Sequence, residues 1–155
     1  METKQGTYTR VTKEILSVLE GETNTGAQMA TISCLLHEAF TDRIWTGFYV
    51  VDPEKPTELV VGPYQGTLGC LRIPFGKGVC GTAAAEDTTQ VVDDVHAFPG
   101  HIACDSRSVS EIVVPVKNTA GDLIAVLDID SDKPAMFDET DKAALEALVT
   151  KVFAA

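Results

Sequence analysis

The hydrophobic pattern of this chain changes period twice, and that change constrains the fold more than any other feature. Val11, Ile15, Val18 and Leu19 recur at helical spacing. After a Gly-Glu-Thr-Asn-Thr-Gly break, Ile32, Leu35, Leu36, Ala39 and Phe40 do the same, so the two segments read as an antiparallel helical pair. Near the other end Asp138 is placed to cap a helix, with Asp141 three residues on, and Leu145, Leu148, Val149, Val152 and Phe153 form its apolar stripe. Between these helices the spacing shortens. Residues 44–51, 58–61, 69–73, 110–117 and 122–130 are β-rich and bounded by turn residues, and 78–86 reads as a short helix. Helices at both ends around a mostly antiparallel sheet predict an α+β layered domain, with the terminal helices packed on one side. At 155 residues the chain is long enough for one core and too short for two, so one domain is expected over 1–155.

Charge excludes several functions. Twenty-three acidic residues against 12 basic ones give a net charge of −11, the wrong sign for a nucleic-acid binder or for docking on an anionic membrane. METKQGTYTR has no signal-peptide character and no apolar run reaches membrane-spanning length, so a cytoplasmic location is expected. In that compartment the four cysteines, at 34, 70, 80 and 104, suit chemistry or metal better than structural staples. The stretch 93–109 matches neither period, and a loop of that length in a compact domain points to function. It holds His96, His101 and Cys104.

Strand alternation gathers candidate groups on one face. Glu111, Val113 and Pro115 share a face of one strand, and Ile124, Val126, Asp128 and Asp130 share a face of the next. A turn in which Asn118 faces Gly121 sets Glu111 directly across from Asp128, with Asp130 beyond it. Three clustered carboxylates need a cation or a retained proton, which suits an ammonium pocket, a Ca²⁺ or Mg²⁺ site, or an acid catalyst. In 44–51, Trp45 and Tyr49 flank Gly47 on one face, an aromatic shelf with an open slot for a small apolar group or an ammonium. The competing expectation packs Trp45 under the terminal helices.

Cys34, within a helical pattern, reads as a buried small hydrophobe. A zinc site from Cys70, Cys80, His101 and Cys104 lacks paired Cys-x-x-Cys spacing, and redox chemistry fits these cysteines better. His101 and Arg107 favour a thiolate at Cys104, whereas Asp105 opposes it. His96 reads as a loop-stabilising hydrogen-bond partner; Gly76, Gly78 and Gly81 read as turn glycines; His37 carries no functional signal.

The segments GPYQG, CLRIPFGKGVCGTA, DVHAFPGHIACDSRSVSEIVVPV and AVLDIDSD resemble the free methionine-(R)-sulfoxide reductases, single-domain enzymes of GAF fold. The resemblance runs from about Ile44 to the final helix, and HAFPGHIACDS followed by SEIVVP is specific to that family. Gly69 stands where alanine is expected and Ala125 where glycine is usual. The resemblance implies a GAF domain in which Cys104 is the catalytic cysteine, Cys70 resolves it, and Cys80 is a motif cysteine available for disulfide exchange. It places Glu111, Asp128 and Asp130 as acidic site residues and Trp45, with Tyr49, as the aromatic wall of a methyl pocket. It further implies no metal or cofactor, free methionine-R-sulfoxide as substrate, thioredoxin or a similar dithiol as reductant, and by analogy a homodimer through the terminal helices. Two alternatives stand beside it: a GAF sensor module that binds a small ligand without turnover, and a metal-dependent hydrolase using the carboxylates with His96 and His101.

Overall fold

The structure, a computed structural model, describes residues 1–102 and 104–155, so Ala103 of the HIAC motif lies outside the described residues. Helices α1 (Lys4–Val18) and α2 (Thr25–Ala39) come first, each begun by a side-chain cap. Thr3 Oγ1 accepts from the Gly6 N–H at 3.0 Å and Asn24 Oδ1 accepts from the Ala27 N–H at 2.9 Å. Then follow β1 (Trp45–Asp52), β2 (Lys55–Gly66), β3 (Arg72–Pro74), α3 (Gly78–Glu86) and β4 (Gln90–Val92). A 3₁₀ turn at Val95–Ala97, β5 (Ser110–Lys117), β6 (Leu123–Ser131) and α4 (Glu139–Phe153) complete the chain. The six strands form one antiparallel sheet in the order β3-β2-β1-β6-β5-β4.

The alternation of apolar residues sorts the two faces of this sheet into two cores. Phe48, Ile112, Val114, Val116, Leu127 and Ile129 pack against Tyr8, Val11 and Ile15 of α1, Met29, Ile32 and Leu36 of α2, and Leu145, Leu148 and Phe153 of α4. The opposite residues, Trp45, Tyr49, Val113 and Val126, pack against Val79, Cys80 and Ala83 of α3. Trp45 therefore lies on the face away from the terminal helices. Ile124 leaves its expected companions and packs with the helix-side core. Cys34 corrects another expectation: its side chain is exposed. It is two residues from both Ile32 and Leu36, which on a helix puts it across from the buried stripe.

The helical layer is pinned by one buried carboxylate. Asp138 and Asp141 form a reciprocal capping box at the start of α4. Fully buried Asp141 also accepts from Tyr8 Oη, from Arg43 Nη2 at 2.9 Å and from Lys4 Nζ at 2.7 Å, tying α1 and the α2–β1 link to α4. Arg43 is itself buried, its guanidinium 3.6 Å from the Phe40 ring centroid. Asp141→Ala strands that guanidinium in the core; a loss of about 3–5 kcal/mol is expected, read as a melting-temperature drop of about 10 °C or more.

The β5–β6 turn decides the register of the acidic face. The Asn118 N–H donates to Asp122 O and the Gly121 N–H to Asn118 O, both at 3.0 Å, so the turn takes in Asp122. Gly121 adopts φ +84°, a conformation that glycine permits. An irregularity at Val116/Lys117 adds a further step, and the pairs become Glu111 with Asp130 and Val113 with Asp128. Glu111 is thus across from Asp130, not Asp128. The displacement is two residues, an even number, so all three carboxylates keep the same face.

Candidate active site

Three rows of residues cross the strands on the α3 side of the sheet. The first runs Glu111, Asp130, Trp45 over β5, β6 and β1; the second runs Val113, Asp128, Gly47, Tyr64 and reaches β2; the third holds Pro115, Val126, Tyr49 and Val61. Gly47 leaves no slot for a ligand. A Cβ added there would fall 2.2 Å from Tyr64 Cβ, so the space is already used by Tyr64. Trp45 stacks on Tyr64 with centroids 4.9 Å apart and on Tyr49 at 5.2 Å. Tyr64 is a site-building residue that sequence alone did not expose, since its place depends on the β1–β2 register, which shifts between Gly47 and Tyr49.

Above these rows lies a small cavity of about 40 Å³, roofed by the loop that carries His101, Ile102 and Cys104 and walled by Trp45, Tyr49, Cys80, Glu111, Asp128 and Asp130. That is room for about three waters. Cys104, in the cavity lining, is joined to Cys70 in a disulfide, with Cα atoms 5.2 Å apart. A noncovalent clasp runs alongside it. Asp105 accepts from Thr67 Oγ1 at 2.6 Å and from Arg107 Nη2 at 2.9 Å, so the Arg107 charge is spent on Asp105. The ends of the loop are tied down by Val95 N–H to Val109 O at 2.7 Å and Gly78 N–H to Gly100 O at 3.0 Å. His101 lines the cavity, and burial together with the neighbouring His96 disfavours its protonation. His96 is exposed, and the loop bond at that position comes from its backbone N–H to Asp94 Oδ1 at 3.0 Å rather than from its ring. Gly76 and Gly78 adopt positive φ, as turn glycines do, whereas Gly81 is required by space: a Cβ there would lie 2.5 Å from Pro74 O.

Gly69 has structural consequences. A Cβ at this position would sit 2.8 Å from Tyr49 Oη and 3.1 Å from Trp45 Cζ2, so the backbone beside Cys70 rests directly on the aromatic wall.

The electrostatics of the cavity are set by burial. Glu111 and Asp128 are almost fully enclosed, and Asp130 is partly so. Burial first, then the neighbouring carboxylates, pushes all three well above the ordinary carboxylate range. Ser108 Oγ donates to Asp130 at 3.2 Å, a bond that favours the charged form against burial, and Ser108 is a second site residue that the sequence reading did not single out. Cys80 Sγ donates to Glu111 Oε2 at 3.8 Å, and burial plus the charges of Asp128, Glu111 and Asp130 keep it a thiol. Two enclosed polar atoms here have no hydrogen-bond partner among the described residues: the donor Trp45 Nε1 and the acceptor Asp128 Oδ1. Orphans of opposite type in one cavity fit a ligand carrying both an acceptor and a cationic donor.

Metal-type ligands also meet, though not the set weighed from sequence. Among the described residues, Cys80, Glu111 and Asp128 each place a ligand atom within 4.8 Å of the others, whereas Cys70 and Cys104 are consumed by the disulfide. Among the described residues no helix is long and apolar enough to cross a membrane.

A six-stranded antiparallel sheet with terminal helices on one face and a roofed pocket on the other defines a GAF domain, and the GAF domain family model matches residues 9–155. The chain is 45% identical over 147 residues to the free methionine-R-sulfoxide reductase of Escherichia coli K12, covering 94% of this chain and 86% of that protein. The Saccharomyces cerevisiae enzyme of the same name is 44% identical over 133 residues, 83% of this chain and 74% of its own. A free methionine-R-sulfoxide reductase from Neisseria meningitidis, solved in complex with its substrate, superposes with a TM-score of 0.92 at 48% identity, covering 98% of this chain and 89% of that one. This chain belongs to the free methionine-R-sulfoxide reductase family.

Proposed function

We propose that this protein, working as a single GAF domain over residues 1–155, reduces free L-methionine-(R)-sulfoxide to methionine. The observation that carries the reading is the Cys70–Cys104 disulfide, whose Cys104 lines a pocket that pairs buried carboxyls with an aromatic wall. The Cys104 thiolate attacks the sulfoxide sulfur while the oxygen takes protons from a neighbouring carboxyl. Glu111, Asp128 and Asp130 are a suitable source, because enclosed carboxyls close to one another retain a proton near neutrality. Methionine departs and Cys104 is left as a sulfenic acid. The Cys70 thiol displaces its hydroxyl as water, giving the disulfide, and an external dithiol such as thioredoxin reduces that bond.

The same carboxyls, once one ionises, hold the substrate α-ammonium at the unpartnered Asp128 Oδ1. A peptide-bound methionine has no such cation, hence the preference for the free amino acid. Trp45, backed by Tyr49, encloses the ε-methyl group. Cys80 contributes as a thiol bonded to Glu111. The loop bearing Cys104 roofs the site and moves to admit the substrate. The cytoplasm, where thiols stay reduced, is the location this chemistry suits, and a homodimer through the terminal helices completes the proposal.

The deciding assay is stereochemical. Purified protein with dithiothreitol should consume the R epimer of free methionine sulfoxide and leave the S epimer; binding without methionine release would instead mark a sensor. A Cys70→Ser variant should complete one turnover and recycle poorly with thioredoxin. Unchanged thioredoxin-driven steady-state turnover in that variant would remove Cys70 from the resolving role.

A further inference from the structure

We propose that the reducing partner, a protein dithiol of the thioredoxin type, attacks Cys104 rather than Cys70 and lands on an apolar rim formed by Leu68, Leu71 and Ile102. The proposal rests on the reductase reading and adds the side of entry and the surface used.

The two sulfurs of the bridge are not equivalent. Cys104 is exposed, while Cys70 is half-buried and packed against the core that contains Trp45, Tyr49 and Ile73. Thiol–disulfide exchange is an in-line displacement in which the thiolate approaches opposite the leaving sulfur, so access selects the sulfur attacked. From solvent, that sulfur is Cys104. The incoming thiolate forms a bond to Cys104 Sγ, the Cys70–Cys104 bond breaks, and Cys70 leaves as a thiolate that takes a proton from water. The second thiol of the partner then displaces Cys104 from the mixed disulfide. The partner ends oxidised to its own disulfide, and both cysteines end reduced.

The surroundings of the bridge carry the second half of the argument. Leu68 is 77% exposed, Leu71 72% and Ile102 36%, three of the six exposed large apolar side chains among the described residues. Each lies within two positions of Cys70 or Cys104 in sequence. Scattered exposed leucines need no explanation, but a set gathered beside a reactive bond marks an interaction surface. The Leu68–Leu71 segment is itself uncharged in a chain carrying −11, the adjoining Arg72 is paired with Asp52 at 2.7 Å, and the exposed Lys77 that shares the cavity lining adds no negative charge. Residues 62–71 contain no ionisable acid or base of the Asp, Glu, Lys, Arg or His types, and the nearby Asp105 is paired with Arg107 at 2.9 Å. A partner with an apolar surface around its reactive thiol approaches this window without the repulsion met elsewhere.

The test uses the disulfide form of the full chain and a thioredoxin whose second active-site cysteine is serine, so that the mixed disulfide persists. Peptide mapping should find the adduct on Cys104. An adduct on Cys70, or none on either while dithiothreitol still reduces the bond, overturns the proposal. A Leu71→Asp variant tests the rim: the KM for thioredoxin should rise about tenfold, while dithiothreitol-driven turnover and the melting temperature stay as in the wild type. An unchanged KM removes the rim from docking. The adduct is read on a preformed disulfide, so it reports the side of entry even if the substrate assay fails.

Discussion

A Cys104→Ser variant is expected to lose methionine formation by about a thousandfold or more, in single-turnover as well as steady-state assays. Two steps of the cycle need sulfur at this position. Attack on the sulfoxide requires a soft thiolate, which a serine hydroxyl does not supply near neutral pH. Storage of the abstracted oxygen requires a sulfenic acid, which serine has no means to form. Dithiothreitol cannot bypass either step, because it acts only after Cys104 has been oxidised. The contrast with Cys70→Ser is therefore qualitative: that variant stalls after one turnover, and this one never begins. Exposed Cys34, on the far face of α2, serves as the control, and Cys34→Ser should leave turnover as it is. Methionine production that persisted without Cys104 would remove the thiol mechanism altogether.

Asp128→Asn should move activity and stability in opposite directions. Asp128 is 4% exposed and its Oδ1 has no partner among the described residues, so the amide fills the same space but no longer meets an ammonium as an anion. Loss of one member of a buried charge pair costs about 2–5 kcal/mol of binding, so the KM for the sulfoxide should rise by roughly 30-fold or more. Stability should rise. Burial, then Asp130, holds the folded-state pKa of Asp128 above its unfolded value, so the folded form binds more protons and favours folding most at low pH. That contribution is complete below the unfolded-state pKa, near 4, and is lost as pH climbs through the raised folded-state value. The asparagine has no such loss. The variant should match the wild type near pH 4 and exceed it progressively as pH rises toward 8, read as a melting-temperature advantage that grows with pH. A difference that shrank as pH rose would contradict the assignment.

Local chemistry made much of this fold legible. The Asp138–Asp141 capping box, the helix at 78–86 and the strand at 110–117 follow from caps, turn residues and period, and the structure has all three. What escaped depends on contacts between distant segments. Strand β4 is only three residues long, too short to show alternation, and exists because it pairs with β5. The partner of Glu111 was displaced by two positions, since a turn extended to Asp122 and an irregularity at Val116/Lys117 are settled by the folded hairpin. The Gly47 slot is open when β1 is read alone and is closed by Tyr64 from the next strand. Cys34 is the reverse case: its own helical period already placed it opposite Ile32 and Leu36, and the usual burial of cysteine obscured that. The acidic face survived the register change because alternation has a period of two, which an even displacement respects.

The bridge between Cys70 and Cys104 also bears on how long each molecule lasts. It closes a loop across a sequence separation of 34 residues, which on chain-entropy grounds stabilises the folded state by about 4 kcal/mol relative to the reduced chain. At a tenfold change in population for each 1.4 kcal/mol, the oxidised chain visits its unfolded, protease-susceptible ensemble almost a thousand times less often. Each catalytic cycle thus alternates a durable idle molecule with a more perishable working one. A population starved of reductant is conserved while it waits, and the enzyme ages mainly while it is in use.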